Sequence, residues 1–475
     1  MRCYNINYMV KEITILYKVP YRKNTLICIL IIINLALSSC EDFVEVELPS
    51  SQLNADDVFN DSSSAHAAIT AIYTGIRDAG IITDLSYELG NYGDELDFYG
   101  SAQLSVDNYY KNTVLPSDPT LENWWNGAYY QIYSANSILE RVKASKQLSI
   151  EDKDQLLGEA FFIRALLHFY LSEIFGDIPY ITTSAYEDNR SVGRMNLNEV
   201  RKLIVDDLIR AALLLQDYYI SNERVRPNKG VVMALLARVY LYNENWKEAS
   251  RTASYVIEHH ELYKLQDNLD LSYLKESTEI IWQLSPGIEG ESSRDGQAFI
   301  ITNAPPGNVA LTETLVNSFE ENDLRRSHWI GAASNDENTW YYAFKYKQKG
   351  KEESSSEYNI MFRLAEQYLI RSEARIKIGD LEGAKADLNT IRNRAGLPNV
   401  DASNNETLIN LMMSERRHEL FTELGHRFFD LRRTGKLDVT LSTIKPGWDS
   451  TDRLFPIPEN ELLLNPNLQP QNLGY

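Results

Sequence analysis

The sequence predicts a fold dominated by α-helices, paired into hairpins and interrupted by long irregular loops. Three observations lead there. Apolar residues recur at spacings of three and four from about residue 62 onward. Helix-starting and helix-stopping residues punctuate those runs. Two helix–turn–helix stretches also echo one another along the chain.

Residues 65–79 form the first amphipathic candidate, with Ala68, Ile72, Tyr73 and Ile76 on one face. A second spans 124–142. Ser149 and Asp152 then make a capping-box-like start to a helix running to about Phe175. Its apolar residues, from Leu156 through Tyr170, cover most of the circumference, so this helix is expected to be buried. Gly176 stops it and Pro179 prevents resumption. Asn196 and Glu199 start the next, which carries a single stripe from Val200 to Leu215.

The two hairpins follow. Residues 231–242 lead through Asn243-Glu244-Asn245 to 246–258, and residues 358–378 lead through Gly379-Asp380 to 381–394. Trp246 and Ala249 match Leu381 and Ala384, a large residue after the turn and a small one three later. The alanine lets the paired helices approach. Each unit is about the size of a tetratricopeptide repeat, roughly 34 residues. Earlier helices supply two more pairs, so an α–α superhelix is expected.

Three stretches lack helical periodicity: 80–120, 282–310 and 330–357. Loops of that length inside a packed protein are usually functional or disordered. Residues 456–475 are proline-spaced and expected to wrap the surface in extended form.

The N-terminus carries a different signal. Arg22 and Lys23 flank an apolar run from Thr25 to Leu37, broken only by Asn34, and Ser38-Ser39-Cys40 ends it. A basic flank, a short apolar run and small residues before the cut make a secretory signal. The run is too short for a membrane-spanning helix, which needs about 20 residues. The organisation read from the sequence is a signal peptide at 1–39, a lipidated tether at 40–60 and one domain at 61–475, with halves at 61–265 and 266–475. Met9 is an alternative start. Cleavage before Cys40 leaves 42 basic and 66 acidic residues, a net charge of −24. It also leaves no other thiol, which excludes a disulfide framework or a cysteine nucleophile in the body. So acidic a body argues against binding nucleic acid.

Several segments together resemble the SusD/RagB family of Bacteroidetes nutrient-binding lipoproteins. They are Trp124-Trp125 through Asn136-Ser137-Ile138-Leu139-Glu140, Glu159-Ala160-Phe161-Phe162-Ile163-Arg164-Ala165 with Phe175-Gly176-Asp177-Ile178-Pro179, and Leu236-Ala237-Arg238. Further on come Arg363-Leu364-Ala365-Glu366, Glu415-Arg416-Arg417, Gly425-His426-Arg427-Phe428-Phe429-Asp430 and Asn465-Pro466-Asn467-Leu468. The four residues ending in Cys40 resemble a bacterial lipobox, which implies lipidation of Cys40. The family resemblance implies a SusD-like fold with four tetratricopeptide-type helix pairs and a ligand face of irregular loops. It further implies a SusC-like TonB-dependent porin as partner, a glycan as ligand, and a lipid-anchored place on the outer membrane facing the cell exterior. The protein would act as a lid over the porin. Relatives bind glycans or, in some cases, peptides, and the recognisable motifs are scaffold motifs. No ligand-contacting residue is therefore carried over.

Residue chemistry supplies the ligand candidates. A pyranose stacks its C–H face on an aromatic ring, while its hydroxyls need polar partners. Tyr87, Tyr92, Asp94, Phe98 and Tyr99 form one candidate group among glycines; Trp329, Trp340 and Tyr341 form another. Trp124, Trp125, Trp246 and Trp282 are expected in the core. The Glu415–Arg433 stretch is dense in opposite charges at helical spacing. A catalytic role for Glu419 or His426 is weighed there against an ion-pair network, and the network is favoured. No HExxH, GxSxG, P-loop or GxGxxG occurs, no EF-hand pattern appears, and His259-His260-Glu261 lacks zinc-ligand spacing. The expectation is a binding protein with no cofactor, metal or catalysis. A peptide-binding helical-repeat lipoprotein and a lipoprotein glycosidase are the alternatives.

Overall fold

Helices begin where a side chain can accept the unpaired N–H groups of a first turn. In the computed structural model, which describes residues 57–102, 105–402 and 404–475, Asp61 caps α1 (Ser62–Asp78) through the Ser64 amide, and α2 (Leu85–Tyr92) follows. Asp118 and a first-turn proline start α3 (Pro119–Ala144). Ser149 accepts the Asp152 amide at 3.0 Å to start α4 (Ile150–Phe175), and Gly176 ends it at φ 77°. Asn196 and Asn228 cap α5 (Leu197–Leu214) and α6 (Lys229–Tyr242), and α7 (Trp246–Glu258) follows. Next come α8 (Leu364–Ile378), α9 (Leu381–Arg394, capped by Asp380), α10 (Asn405–Leu420, capped by Asn404) and α11 (His426–Arg433).

From α3 to α10 each of these helices packs on the next in sequence, which is the architecture of a helical-repeat superhelix. The helix expected to be buried is buried: α4 is shielded from Gly158 to Phe175, and α6 from Gly230 to Tyr242. Burying each large apolar side chain contributes about 1.5–3 kcal/mol. Ala249 and Ala384 are both fully buried where the hairpin partners meet, as their matching positions predict. Trp124, Trp125 and Trp282 are core residues, and Trp246 is half-buried under Lys377.

All described residues belong to one unit, residues 55–475. The signal segment, Cys40 and the tether as far as residue 56 lie outside the described residues.

Six short strands stand beside the helices: β1 (Leu96–Phe98), β2 (Ile280–Leu284), β3 (Val309–Leu311), β4 (Ile330–Ser334), β5 (Thr339–Ala343) and β6 (Asn359–Arg363). Four of them form an antiparallel sheet in the order β1-β3-β5-β4, and β2 pairs with β6 separately. The sheet covers a second apolar cluster that includes Leu96, Tyr273, Phe299, Trp329 and Phe421.

Three expectations need correction. The helix expected from 358 starts at Leu364, because residues 359–363 are β6, in register Leu284↔Asn359 and Ile280↔Arg363. A short apolar run reads the same for a buried strand and a buried helix. The stretch 80–120 is not all irregular, since α2 and a short helix at Ser105–Tyr110 lie within it. Their buried positions include Glu88, Asn91 and Asp107, polar residues that hide a core face from a hydropathy reading. The chain after 456 is not purely extended. It carries a helix at Glu459–Leu464, and Asn472 donates to the carbonyls of Phe175 (2.9 Å) and Phe455 (2.7 Å), pinning the end of the chain to the end of α4.

Candidate functional site

A cavity of about 1180 Å³ opens between the end of α1, the start of α2 and the irregular stretch 285–309. Its wall is held by backbone contacts that leave no room for side chains. Gly290 donates to the Ser355 hydroxyl at 2.9 Å, and at φ 85° a Cβ there would lie 2.1 Å from the Glu352 carbonyl oxygen. Gly287 lies against Arg77, where a Cβ would come within 3.0 Å of the guanidinium. Ser293 accepts the Gly296 amide at 3.0 Å and starts the short helix Arg294–Phe299, which lines one wall.

Tyr87 stands half-buried in the cavity, its ring 6.2 Å from that of Phe299. Burial pushes its phenol up to about 12, so it stays a neutral hydroxyl. Around it are amide and hydroxyl groups from Thr83, Gln297, Thr302, Asn303 and Asn308, with the exposed Ile288 at the wall. Each basic residue of the lining is already engaged. Arg77 makes two 2.6 Å bonds to Asp78, Arg294 donates to the Asp78 carbonyl at 3.1 Å and lies 3.9 Å from Asp84, and Lys349 donates to the Ile300 carbonyl. Asp295 lies partly open to the cavity. Burial, then the nearby Glu423 charge, push it up to about 7.

The sequence candidates separate into two groups. Tyr87 lines the cavity, and Tyr99 sits just beyond it, because its amide donates to the carbonyl of the lining residue Asn308 at 2.6 Å. Tyr99 is 45% exposed and meets Trp340 edge-on at 6.4 Å. Phe98 is half-buried on β1 against Tyr110. Tyr341, next to Trp340 on β5, faces the second apolar cluster and has Arg326 over its ring.

The other three are corrections. Tyr92 is fully buried, 4.4 Å from the Phe455 ring, and donates to the Asp452 carbonyl at 3.0 Å. Trp329 is fully buried and donates to the Leu269 carbonyl at 3.1 Å. Asp94 is buried between Arg427 (2.7 Å) and Arg417 (3.0 Å), which hold its carboxyl below the usual range. None of these reaches a ligand in this arrangement. Each is a large or charged group whose partners come from distant parts of the chain. The sequence marks 282–310 as irregular by its prolines and glycines but singles out none of its residues as a ligand candidate. Its Pro/Gly punctuation was the one available signal for Gln297, Phe299, Asn303 and Asn308.

The charged stretch around Glu419 forms an internal lattice. Glu419 accepts from Arg363 at 2.9 Å, from Arg394 and from Arg325 at 3.4 Å. Glu279 binds Arg363 (2.7 Å) and Arg394 (2.8 Å); Glu423 binds Arg363 (2.9 Å) and Lys345 (2.5 Å). Glu415 joins Arg325 (2.8 Å) to Arg392 (2.5 Å). The surrounding arginines hold the Glu419 carboxyl far below the ordinary range, although burial opposes this. Burial, with Arg238 and Arg416 nearby, lowers His426 well below its usual value and keeps it neutral. Neither Glu419 nor His426 lines the cavity, and the lattice ties α9, α10 and β6 to the segments flanking the sheet at Arg325 and Lys345, as the ion-pair reading predicts. Among the described residues no group of three metal-ligating side chains occurs.

Fold and site together define a class: a helical-repeat scaffold that presents a loop-built, polar cavity with aromatic rings inside and beside it. Two family models match the chain, one described as starch-binding and associating with the outer membrane over residues 42–241, the other as the SusD family over residues 314–475. The chain belongs to the SusD/RagB family. A SusD-like protein of Formosa agariphila is 23% identical over 90% of this chain and 95% of its own length. A SusD superfamily structure from Bacteroides vulgatus superposes with a TM-score of 0.75 at 23% identity, covering 88% of this chain and all of that one. A laminarin-binding SusD-like protein superposes equally well, at 0.75 and 23% identity, over 87% of this chain and 99% of its own.

Proposed function

We propose that the protein is a surface lipoprotein that captures nutrient oligosaccharide or polysaccharide in the 285–309 cavity and delivers it to a TonB-dependent outer-membrane porin, without altering it. The observation that carries this reading is the cavity itself. At about 1180 Å³ it exceeds the usual range for drug-sized ligands, roughly 300–1,000 Å³, and suits several sugar rings. Its polar lining surrounds one aromatic face, Tyr87, and a second aromatic pair, Tyr99 and Trp340, stands one strand pairing away. The laminarin-binding relative, with the same fold, supports a glycan ligand. Glu419 and His426 are buried away from the cavity, so neither reaches a ligand held there.

A lipid on Cys40 would hold the domain to the membrane. Among the described residues no helix is long and apolar enough to cross one. The test is affinity electrophoresis and calorimetry of the purified body against a glycan panel, with reducing-sugar release followed in parallel. Saturable binding without release is expected. Release above background would replace the reading with a hydrolase. Mass spectrometry of protein from its native membrane should find Cys40 acylated at a new N-terminus, and co-purification should recover a TonB-dependent porin.

A further inference from the structure

We infer that this cavity selects uncharged glycans and discriminates against uronic-acid and sulfated sugars. The inference deepens the glycan-capture reading and rests on it. An anionic sugar is recognised by cations with donors to spare, above all by bidentate arginine. The cavity has three basic side chains, Arg77, Arg294 and Lys349, and the fold has engaged each one. Asp78 occupies the Nε/Nη2 edge of Arg77 as a bidentate carboxylate, Arg294 donates to the Asp78 carbonyl beside Asp84, and Lys349 donates to the Ile300 carbonyl. Gly287 packs against the Arg77 guanidinium and helps to fix it in that pair.

Three carboxylates of the lining, Asp78, Asp84 and Glu291, match its three cations, Asp295 adds a fourth acidic group, and the Glu291 charge already acts on Arg77. An incoming carboxylate or sulfate would have to displace Asp78 from that edge or settle beside it. A neutral sugar meets no such competition. Its hydroxyls find the amides of Asn303 and Asn308 and the side-chain carbonyl of Gln297, and its apolar face finds Tyr87.

The experiment uses polymer pairs that share a backbone and differ in charge: fully methyl-esterified against de-esterified galacturonan, and desulfated against sulfated galactan, beside a panel of neutral glucans, mannans and xylans. The full body, residues 40–475, is titrated with each. The expected result is binding to at least one neutral glycan, at an affinity that does not change with salt, and at least tenfold weaker binding to the charged member of any matched pair whose neutral member binds. The double variant Asp84→Asn with Glu291→Gln should narrow that gap severalfold while remaining folded by circular dichroism. Tighter, salt-sensitive binding of the charged member would overturn the inference and leave glycan capture standing. Failure of every polymer to bind would overturn glycan capture itself, and this inference with it. An unchanged gap in the folded double variant would overturn the electrostatic cause.

Discussion

Beneath the sheet, Glu419 is surrounded by Arg325, Arg363 and Arg394, and every one of those side chains is fully or almost fully buried. At the cavity, Arg77 pairs with Asp78 at 2.6 Å and Arg294 lies 3.9 Å from Asp84, but their side chains remain 19–51% open to solvent. The residue types match and the physics does not. In the lattice each charge has left water, and its only compensation is the set of partners the fold supplies. At the cavity, water still screens each pair, so an individual pair contributes little to stability and serves to shape the site. A third case sits between them on α2. Glu88 is buried, yet one of its carboxylate oxygens has no partner, and burial pushes its pKa up to about 8. Charge density in a sequence therefore says nothing about role until partners and burial are known.

The sharpest way to break this comparison is Glu419→Ala. It leaves Arg363 and Arg394 buried with part of their compensation gone, and such a loss costs about 3–5 kcal/mol. Urea unfolding should show a large drop in midpoint. If the midpoint shifts no more than for a cavity variant, the lattice is not what holds α9, α10 and β6 together. Next in size is Tyr87→Ala, which removes the stacking face inside the cavity. Ligand affinity should fall about tenfold, or about 1.4 kcal/mol, with a smaller change in unfolding midpoint because the ring is only half-buried. Equal losses in the two measurements would make Tyr87 a packing residue.

Glu88→Gln tests the intermediate case through pH. Burial pushes the folded-state pKa of Glu88 up to about 8, above the ordinary glutamate value of 4.5. The native state thus keeps a proton that the unfolded chain releases, and stability from this group is lost as pH rises from about 4.5 through 8. The glutamine variant carries no such term. It should be more stable than the parent at pH 9, on the order of 1–2 kcal/mol, and should lose that advantage at pH 5. An advantage that is the same at both pH values would show that Glu88 is not buried as a neutral acid.

Much of the scaffold was legible because its signals are local. Ser149, Asn196 and Gly176 mark helix ends through contacts within a few residues, and Ala249 and Ala384 repeat at one position after a turn. The site was legible only as a region. Tyr92 and Tyr87 look alike in sequence, five positions apart in one polar, glycine-rich stretch. One is sealed by Phe455 and the other faces the cavity, and that difference is made by residues some 360 and 210 positions away. Asp94 looked like a sugar ligand until Arg417 and Arg427 arrived from the far end of the chain. Residues 359–363 read as helix from sequence for the same reason, since their strand partner lies some 80 positions earlier.

The smallest effect belongs to the outer aromatic pair, and it bears most directly on how long a glycan the protein grips. Tyr99 and Trp340 lie outside the cavity lining but are joined to it through the amide of Tyr99 and the carbonyl of Asn308. A ligand that ends inside the cavity does not touch them, whereas one that continues past Asn308 runs onto them. Trp340→Ala should therefore weaken long oligosaccharides by about 0.5–1 kcal/mol, a few-fold in affinity, the contribution of an exposed ring stack. It should leave the shortest bound oligosaccharide untouched. Titration of a size series with both proteins separates the outcomes. A loss that grows with chain length up to a plateau places the pair along the bound glycan. A uniform loss at every length would instead make Trp340 a support for the β1-β3-β5-β4 sheet, and the cavity alone would set the length of the ligand.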